Sequence, residues 1–381
     1  MRLTGDWITA SATQAVCAAL TTSGYRVFFV GGCVRNAILR VPVDDIDMAT
    51  DAPPDTVIRL AGAAGLKSVP TGIDHGTVTV VSDGTPHEVT TFREDVDTFG
   101  RHAKVAFGSD LTADARRRDF SMNALYAQPD GTVLDPLDGM DDLVARRVRF
   151  IGDAGTRIRE DYLRILRFFR FHAQYGDPEA GLDADALAAC AANLDGLADL
   201  SRERIGAEMR KCLAAPDPAP AMAAMQAAGV LARVLPGADA GTLAPMVHLE
   251  AQTDTEPGAI RRLAVLGGVD VAARLRLSRA ETKTVTRLHE ASASLMSAAE
   301  LGYRYGYEAG RDALLVRAAS TGAALDQGAV ADCARGARAQ FPVKADDLKP
   351  AYAGPALGQR LRDLESQWIA SGFTLTREDL L

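Results

Sequence analysis

The chain has 381 residues, 47% apolar and 24% charged, with a formal net charge of -8 at pH 7. That length exceeds one ordinary domain and predicts two or three in a globular protein. The acidic balance argues against a tight, indiscriminate polyanion binder, although a local basic face remains compatible with it. Five scattered cysteines (Cys17, Cys33, Cys190, Cys212 and Cys333) without a Cys-x-x-Cys pair exclude a disulfide framework and a zinc knuckle, and six histidines without a close pair disfavour a His-Asp hydrolase cluster. No stretch approaches the roughly 20 apolar residues of a membrane span. No basic leader followed by an apolar run opens the chain. A cytoplasmic protein with no membrane partner is expected.

Residues 7–22 read as an amphipathic helix ending near Gly24, and 25–30 as an apolar strand running into Gly31-Gly32. The double glycine lets backbone approach phosphate oxygens without a side chain in the way. Arg35, three residues past Gly32, can pair with phosphate through its fixed fork. Helix is expected at 36–39, stopped by Pro42, with a strand at 46–49. On extended chain, side-chain period two puts Asp45 and Asp47 on one face. Neighbouring carboxylates repel unless a cation lies between them. Mg²⁺ takes few carboxylates and leaves room for phosphate oxygens and water. Either half alone is commonplace, and the double glycine fits neither the P-loop nor the dinucleotide fingerprint. The order of the two halves along the chain carries the signal.

Pro53-Pro54 opens a helix through residue 64. Residues 77–82 are β-rich, Asp83-Gly84 is a strong turn, and 87–92 pairs back as a second strand. Glu88 lies on that strand. If it pairs beside the strand carrying Asp45 and Asp47, Glu88 becomes a third carboxylate that completes a metal site or takes a proton; otherwise it is an ordinary solvent-facing glutamate. Residues 94–116 are polar and weakly periodic, and read as a mobile loop or a solvated connector. A helix is expected over 117–125, with Arg118 and Asp119 at its start. Such a pair can grip a ribose, the aspartate accepting and the arginine donating, close to a helix N-terminus that favours phosphate. The alternative is helix capping by Asp119. Turns follow at Asp130-Gly131 and Asp138-Gly139, and 148–151 is the last expected strand.

Beyond residue 156 strand signals nearly vanish. Helical periodicity runs through 157–175, 184–193, 201–214, 219–234 and onward. The expected class is α+β, a small mixed-sheet head before an all-helical body. In 160–171, arginines recur every third residue among Leu, Ile and Phe. Such charges are costly to bury unless they meet anions; triphosphate oxygens would satisfy Arg167 and Arg170. Asp161 and Arg164, one turn apart, can present an acceptor beside donors. That arrangement accepts the amino and ring-nitrogen edge shared by cytosine and adenine and rejects guanine and uracil. An intrahelical Asp161–Arg164 ion pair is the competing reading.

Taken in order, Gly31-Gly32-Cys33-Val34-Arg35, Asp45-Ile46-Asp47, Glu88-Val89-Thr90-Thr91-Phe92-Arg93, Arg117-Arg118-Asp119-Phe120-Ser121-Met122-Asn123-Ala124 and Glu160-Asp161 with its arginine ladder closely resemble the bacterial class II CCA-adding tRNA nucleotidyltransferase and poly(A) polymerase family. The match is dense over the first half. Residues 201–213 resemble the family's neck, and 341–373, with Gly354-Pro355 and Trp368, a tail element of CCA-adding enzymes. The resemblance implies a nucleotidyltransferase head at 1–150, a neck with base recognition at 151–215, and a helical body and tail at 216–381 that grips tRNA. It implies that Asp45 and Asp47 hold Mg²⁺, with a two-metal site, and that Glu88 is a further catalytic carboxylate. Gly32 and Arg35 then contact phosphates, Arg118 and Asp119 the ribose, and Asp161 and Arg164 the base, with Arg167 and Arg170 completing the pocket. The loop at 94–116 matches the loop that reshapes the pocket between C and A addition. CTP and ATP are the implied substrates, tRNA the partner, and no stable protein partner is implied. Alternatives are a poly(A) polymerase, an enzyme adding only CC or only A, and a non-catalytic RNA-binding protein that retains the fold. Two departures stand out. Asn36 replaces the family's usual Asp, and Asp138-Gly139 its usual double glycine.

Overall fold

Two compact units make up the chain, residues 1–208 with 220–234, and residues 209–219 with 235–381. The computed structural model describes residues 1–97, 104–349 and 351–381. The first unit is built on β1 (Val27–Val30), β2 (Asp47–Thr50), β3 (Lys67–Gly72), β4 (Thr77–Ser82), β5 (Thr85–Thr91), β8 (Tyr126–Ala127) and β9 (Val133–Leu134), with a separate two-stranded ladder of β6 (Arg93–Asp97) and β7 (Lys104–Phe107). The seven-stranded order is β3-β4-β5-β2-β1-β8-β9. Only β2 and β5 run parallel; the other pairs are antiparallel.

The apolar run of β1 is buried along its whole length, as a central strand covered on both faces must be. Phe28, Val30, Ala49, Phe92, Ala115, Ala124 and Tyr126 pack as one cluster over the sheet. Asp83 and Gly84 both adopt positive φ, the mirror-image turn that a two-residue hairpin requires between β4 and β5. A second aromatic cluster, Phe120, Phe150, Phe168 and Phe171, lies beneath the segment that carries Arg118 and Asp119.

Several elements differ from the sequence expectations. The first helix breaks at Ala10 into Asp6–Thr9 and Ser11–Thr21. The helix expected at 36–39 begins four residues earlier, at Gly32. The expected loop at 94–116 contains β6, β7 and the helix Leu111–Arg116; its residues 98–103 lie outside the described residues. No helix forms over 117–125. Phe120 is extended, and only the 3-10 turn Ser121–Asn123 follows. Asp119 spends Oδ1 on the Phe120 N–H and on Asn123 Nδ2, a local pairing that competes with helix. The strand expected at 148–151 reduces to an isolated bridge between Phe120 and Phe150. At Asp138-Gly139 the glycine is required, because a methyl there would run into the Ser121 carbonyl oxygen.

The second unit is helical apart from an isolated bridge between Ala238 and Gly267. Its interior holds an ion network: Arg261 and Arg262 both pair with Glu250, and Arg262 also donates to the carbonyls of Leu213, Ala215 and Pro216. Residues 341–381 gather around Trp368, with Leu364, Val343 and Tyr303 in contact. Among the described residues no helix is long and apolar enough to cross a membrane.

His87 is buried under the sheet beside Thr13, with its ring Nε2 3.1 Å from the hydroxyl. Burial pushes its pKa down. The unfolded chain therefore binds a proton that the folded one resists. His87 is expected to lower stability as pH falls below about 6.5. Thermal melts of His87→Gln across pH 5 to 8 should show a flatter pH dependence than the parent chain; parallel curves would refute the assignment.

Candidate active site

Gly31 links β1 to the helix Gly32–Leu39 with φ 69° and ψ -119°, a region open only to glycine. A methyl group there would sit 3.4 Å from Arg118 Nη1 and 3.8 Å from the Asn123 carbonyl oxygen. No side chain caps this helix N-terminus. The Gly32 amide thus belongs to an uncapped set of donors of the kind that suits phosphate.

The sheet puts the carboxylates together. In the parallel pairing of β2 and β5, Asp47 is the register partner of Glu88, so both side chains leave the same face. The ladder reaches one residue further, with the Glu88 N–H donating to the Ile46 carbonyl at 3.1 Å. Burial, then the neighbouring charge of Glu88, and to a lesser extent Asp45, push the Asp47 carboxyl up to about 6, against the pull of Arg118 and Arg35. Asp45 and Glu88 are exposed and Asp47 is half-buried. Among the described residues no three His, Cys, Asp or Glu side chains form a ready cation cage. A magnesium ion needs no such cage, because one or two carboxylates suffice when phosphates and water supply the rest. A half-buried carboxylate raised by burial and by a neighbouring carboxylate is the donor chemistry that such an ion relieves.

Facing the carboxylates is a set of arginines with unequal partners. Arg35 is buried and donates to Asn36 Oδ1 at 3.2 and 2.8 Å, Asn123 Oδ1 at 2.5 Å and the Tyr175 hydroxyl at 2.8 Å. Its fork is thus already spent within the protein, so what it can offer an anion is mainly a fixed charge. Arg118 pairs with Asp114 at 3.1 Å and donates to the Tyr126 hydroxyl at 3.1 Å. Asp114 is almost wholly buried, and also accepts from Arg117 and from Tyr126. Arg118 and Arg117, together with the tyrosine hydrogen bond, outweigh burial and hold the Asp114 carboxyl at about 2.

Asp119 accepts from Arg167 at 2.7 and 2.5 Å and is likewise held near 2. The ribose-facing helix N-terminus expected around Arg118 and Asp119 is absent, since both follow the C-terminus of Leu111–Arg116. The long helix expected over 157–175 breaks at Asp161, which is extended between Ala154–Glu160 and Leu163–Tyr175. Asp161 and Arg164 do not pair. Asp161 meets Arg204 at 2.7 Å and accepts from the Leu163 N–H, while Arg164 meets Glu160 at 2.5 Å. Arg170 meets Glu208 at 2.5 Å. The anions that satisfy the ladder here are therefore protein carboxylates. Arg157 and Arg164 also donate to the carbonyls of Arg117 and Arg118, gripping that segment through its backbone.

Sequence reasoning passed over Asp114, Tyr126, Tyr175, Arg204 and Glu208. A signal existed for Asp114, which lies three and four residues before Arg117 and Arg118 within one turn of helix. The others are distant in sequence from what they hold.

The fold is one shared with solved CCA-adding enzymes. Residues 27–149 match the family described as "Poly A polymerase head domain", and 181–241 match "Probable RNA and SrmB- binding site of polymerase A". The resemblance to CCA-adding enzymes is borne out. The chain is 42% identical over 220 residues to the CCA-adding enzyme of Geobacillus thermodenitrificans, covering 57% of this chain and 52% of that protein. It is 44% identical over 190 residues to the human mitochondrial CCA tRNA nucleotidyltransferase 1, covering 50% and 44%. The chain spans about half the length of these curated relatives. Among solved structures, the Bacillus stearothermophilus CCA-adding enzyme in complex with CTP aligns with a TM-score of 0.76 at 29% identity, covering 94% of this chain and 92% of that one.

Proposed function

We propose that this chain is a template-independent nucleotidyltransferase that builds or repairs the 3′-terminal CCA of tRNA from CTP and ATP. The observation that carries the reading is the Asp47–Glu88 register pair with Asp45 beside it, facing a glycine turn and a buried arginine. The names of the relatives, and a solved neighbour in complex with CTP, support the substrate assignment. The head would be residues 1–150, the neck 151–215, and the body and tail 216–381. Five free, buried cysteines suit a cytoplasmic site.

Asp45 and Asp47 would hold Mg²⁺, which when bound neutralises triphosphate charge and lowers the pKa of an attacking hydroxyl. The 3′ hydroxyl oxygen of the RNA attacks the α-phosphorus in line. The bond from that phosphorus to the bridging oxygen breaks, and pyrophosphate leaves. Glu88 accepts the hydroxyl proton. The Gly32 amide and the charge of Arg35 orient the phosphates, while Arg118 and Asp119 meet the ribose. Asp161 accepts from the amino group of C or A. Arg164, which keeps N–H groups beyond those given to Glu160, Arg157 and Arg117, donates to the ring nitrogen. Arg167 and Arg170 wall the pocket. The helical units grip tRNA by shape and backbone charge, with strong salt dependence.

The test is incubation with tRNA lacking CCA, lacking CA or lacking A, with each triphosphate alone and with CTP and ATP together. Extension that stops at CCA supports the reading. Unlimited A addition identifies a poly(A) polymerase. Arrest at CC identifies a partial enzyme, and no extension a binding protein. In the same assay, Asp161→Ala is expected to relax rejection of UTP and GTP by roughly tenfold to a hundredfold, the worth of a paired base-edge contact. Unchanged selectivity would sink the base-edge role.

A further inference from the structure

The arginines of the site divide into two kinds. Arg118, Arg164, Arg167 and Arg170 each contact a carboxylate. Arg35, 6% exposed, contacts none among the described residues. Its acceptors are two amides and a phenol, and its guanidinium lies 4.0 Å from the Tyr175 ring centre and 5.2 Å from that of Phe171. The Phe171 ring also lies 5.4 Å from the Arg167 guanidinium and 4.3 Å from that of Arg170. One aromatic ring therefore neighbours three cations, two of which have carboxylates elsewhere. The third makes its direct hydrogen bonds to neutral groups, and the carboxylates of Asp47 and Asp119 act on it only through space.

Asn36 works at both ends of its amide. Oδ1 accepts from Arg35, and Nδ2 donates to the Pro42 carbonyl at 2.8 Å. Pro42 opens the segment that leads to Asp45. A carboxylate at this position would hold Arg35 and cancel its charge. It would also set an acceptor against the Pro42 carbonyl, which needs a donor. A buried cation without a counter-ion is costly in an isolated protein. The cost is offset when an anion arrives, and only while the cation keeps both its place and its charge.

We propose that Asn36, Tyr175 and Phe171 are positioning residues that form a neutral cradle, presenting Arg35 to the triphosphate as a cation that no carboxylate touches, and that Asn36 also ties it to the Asp45 segment. The proposal rests on the nucleotide-transfer reading. Where Asn36 is replaced by Asp, one negative charge is added beside Arg35, and triphosphate affinity is expected to fall about tenfold.

The experiment is calorimetric titration of the full chain with tripolyphosphate, and separately with cytidine, for the parent, Asn36→Asp, Phe171→Leu and Phe171→Tyr. Asn36→Asp should bind tripolyphosphate about tenfold more weakly and cytidine equally well, with KM for CTP rising more than kcat falls. Phe171→Leu should weaken tripolyphosphate binding, and Phe171→Tyr, which restores a ring face, should recover it. Tripolyphosphate binding as tight as the parent's in Asn36→Asp, or no rescue by Phe171→Tyr, overturns the cradle. A parent chain that binds no tripolyphosphate overturns the nucleotide-transfer reading itself.

Discussion

A chain carrying Asp45→Ala and Asp47→Ala is expected to lose nucleotide transfer by roughly 10³-fold or more while melting no lower than the parent. The two halves of that result have one cause. Among the described residues neither carboxylate accepts a side-chain hydrogen bond or forms an ion pair, so neither holds the fold together. Asp47 is instead a charge that the folded head tolerates poorly. Its pKa is raised from 3.8 to about 6 by burial and by Glu88. A carboxylate raised in this way destabilises the folded state at every pH above its folded value, and the penalty fades as pH drops from 6 to 3.8. Asp47→Asn should therefore melt higher than the parent at pH 7.5 in chelator, and the gap should close at pH 4. Addition of magnesium to the parent should close it as well, because a bound cation stabilises only the folded chain. A double variant that still extends tRNA would remove the metal assignment. One that melts far below the parent would show that the pair is structural.

That stability is surrendered at the candidate site explains why its residues stand out in the sequence. Gly31, Asp45, Asp47 and Glu88 are in places that folding alone does not require, a positive-φ turn and like charges side by side, and each leaves a local mark in the sequence. What was not legible was the identity of each partner. Arg167 finds Asp119 across 48 residues, Asp161 finds Arg204 across 43, and Arg170 finds Glu208 across 38. The arginine spacing announces that anions are needed but not which. The same limit governs the fold. β4 and β5 were readable from alternation and a turn dipeptide. β3 was not, because it is a mostly exposed edge strand with Pro70 inside it and little apolar pattern. The helix expected over 117–125 failed because Asp119 and Phe120 answer to tertiary partners, Arg167 on one side and the aromatic cluster on the other.

Asp114 is where the fold and the site become one problem, and its loss should be the largest single stability effect in the head. The carboxylate is almost wholly buried and joins Arg117, Arg118 and the Tyr126 hydroxyl. Asp114→Ala removes the shared partner and leaves two half-buried cations and a phenol without it. Breaking a buried pair from one side costs about 3–5 kcal/mol, which in a unit of this size lowers Tm by roughly 10 °C. Asp114→Asn keeps the shape and one acceptor, and should lose less stability. Because the carboxyl is held near 2, below its ordinary 3.8, its contribution is present above pH 3.8 and disappears as pH falls through 2. The melting gap between parent and Asp114→Asn should accordingly shrink between pH 4 and 2; its sign is opposite to the gap at Asp47, because acid costs the parent the Asp114 contribution but relieves the Asp47 penalty. The catalytic consequence follows from Arg118. Freed from Asp114, its guanidinium loses one of its two anchors, and KM for both triphosphates should rise while discrimination between bases, here proposed to lie around Asp161, stays as it was. A variant with the parent's Tm would refute the anchoring role. One with lost stability but unchanged KM would confine Asp114 to the fold.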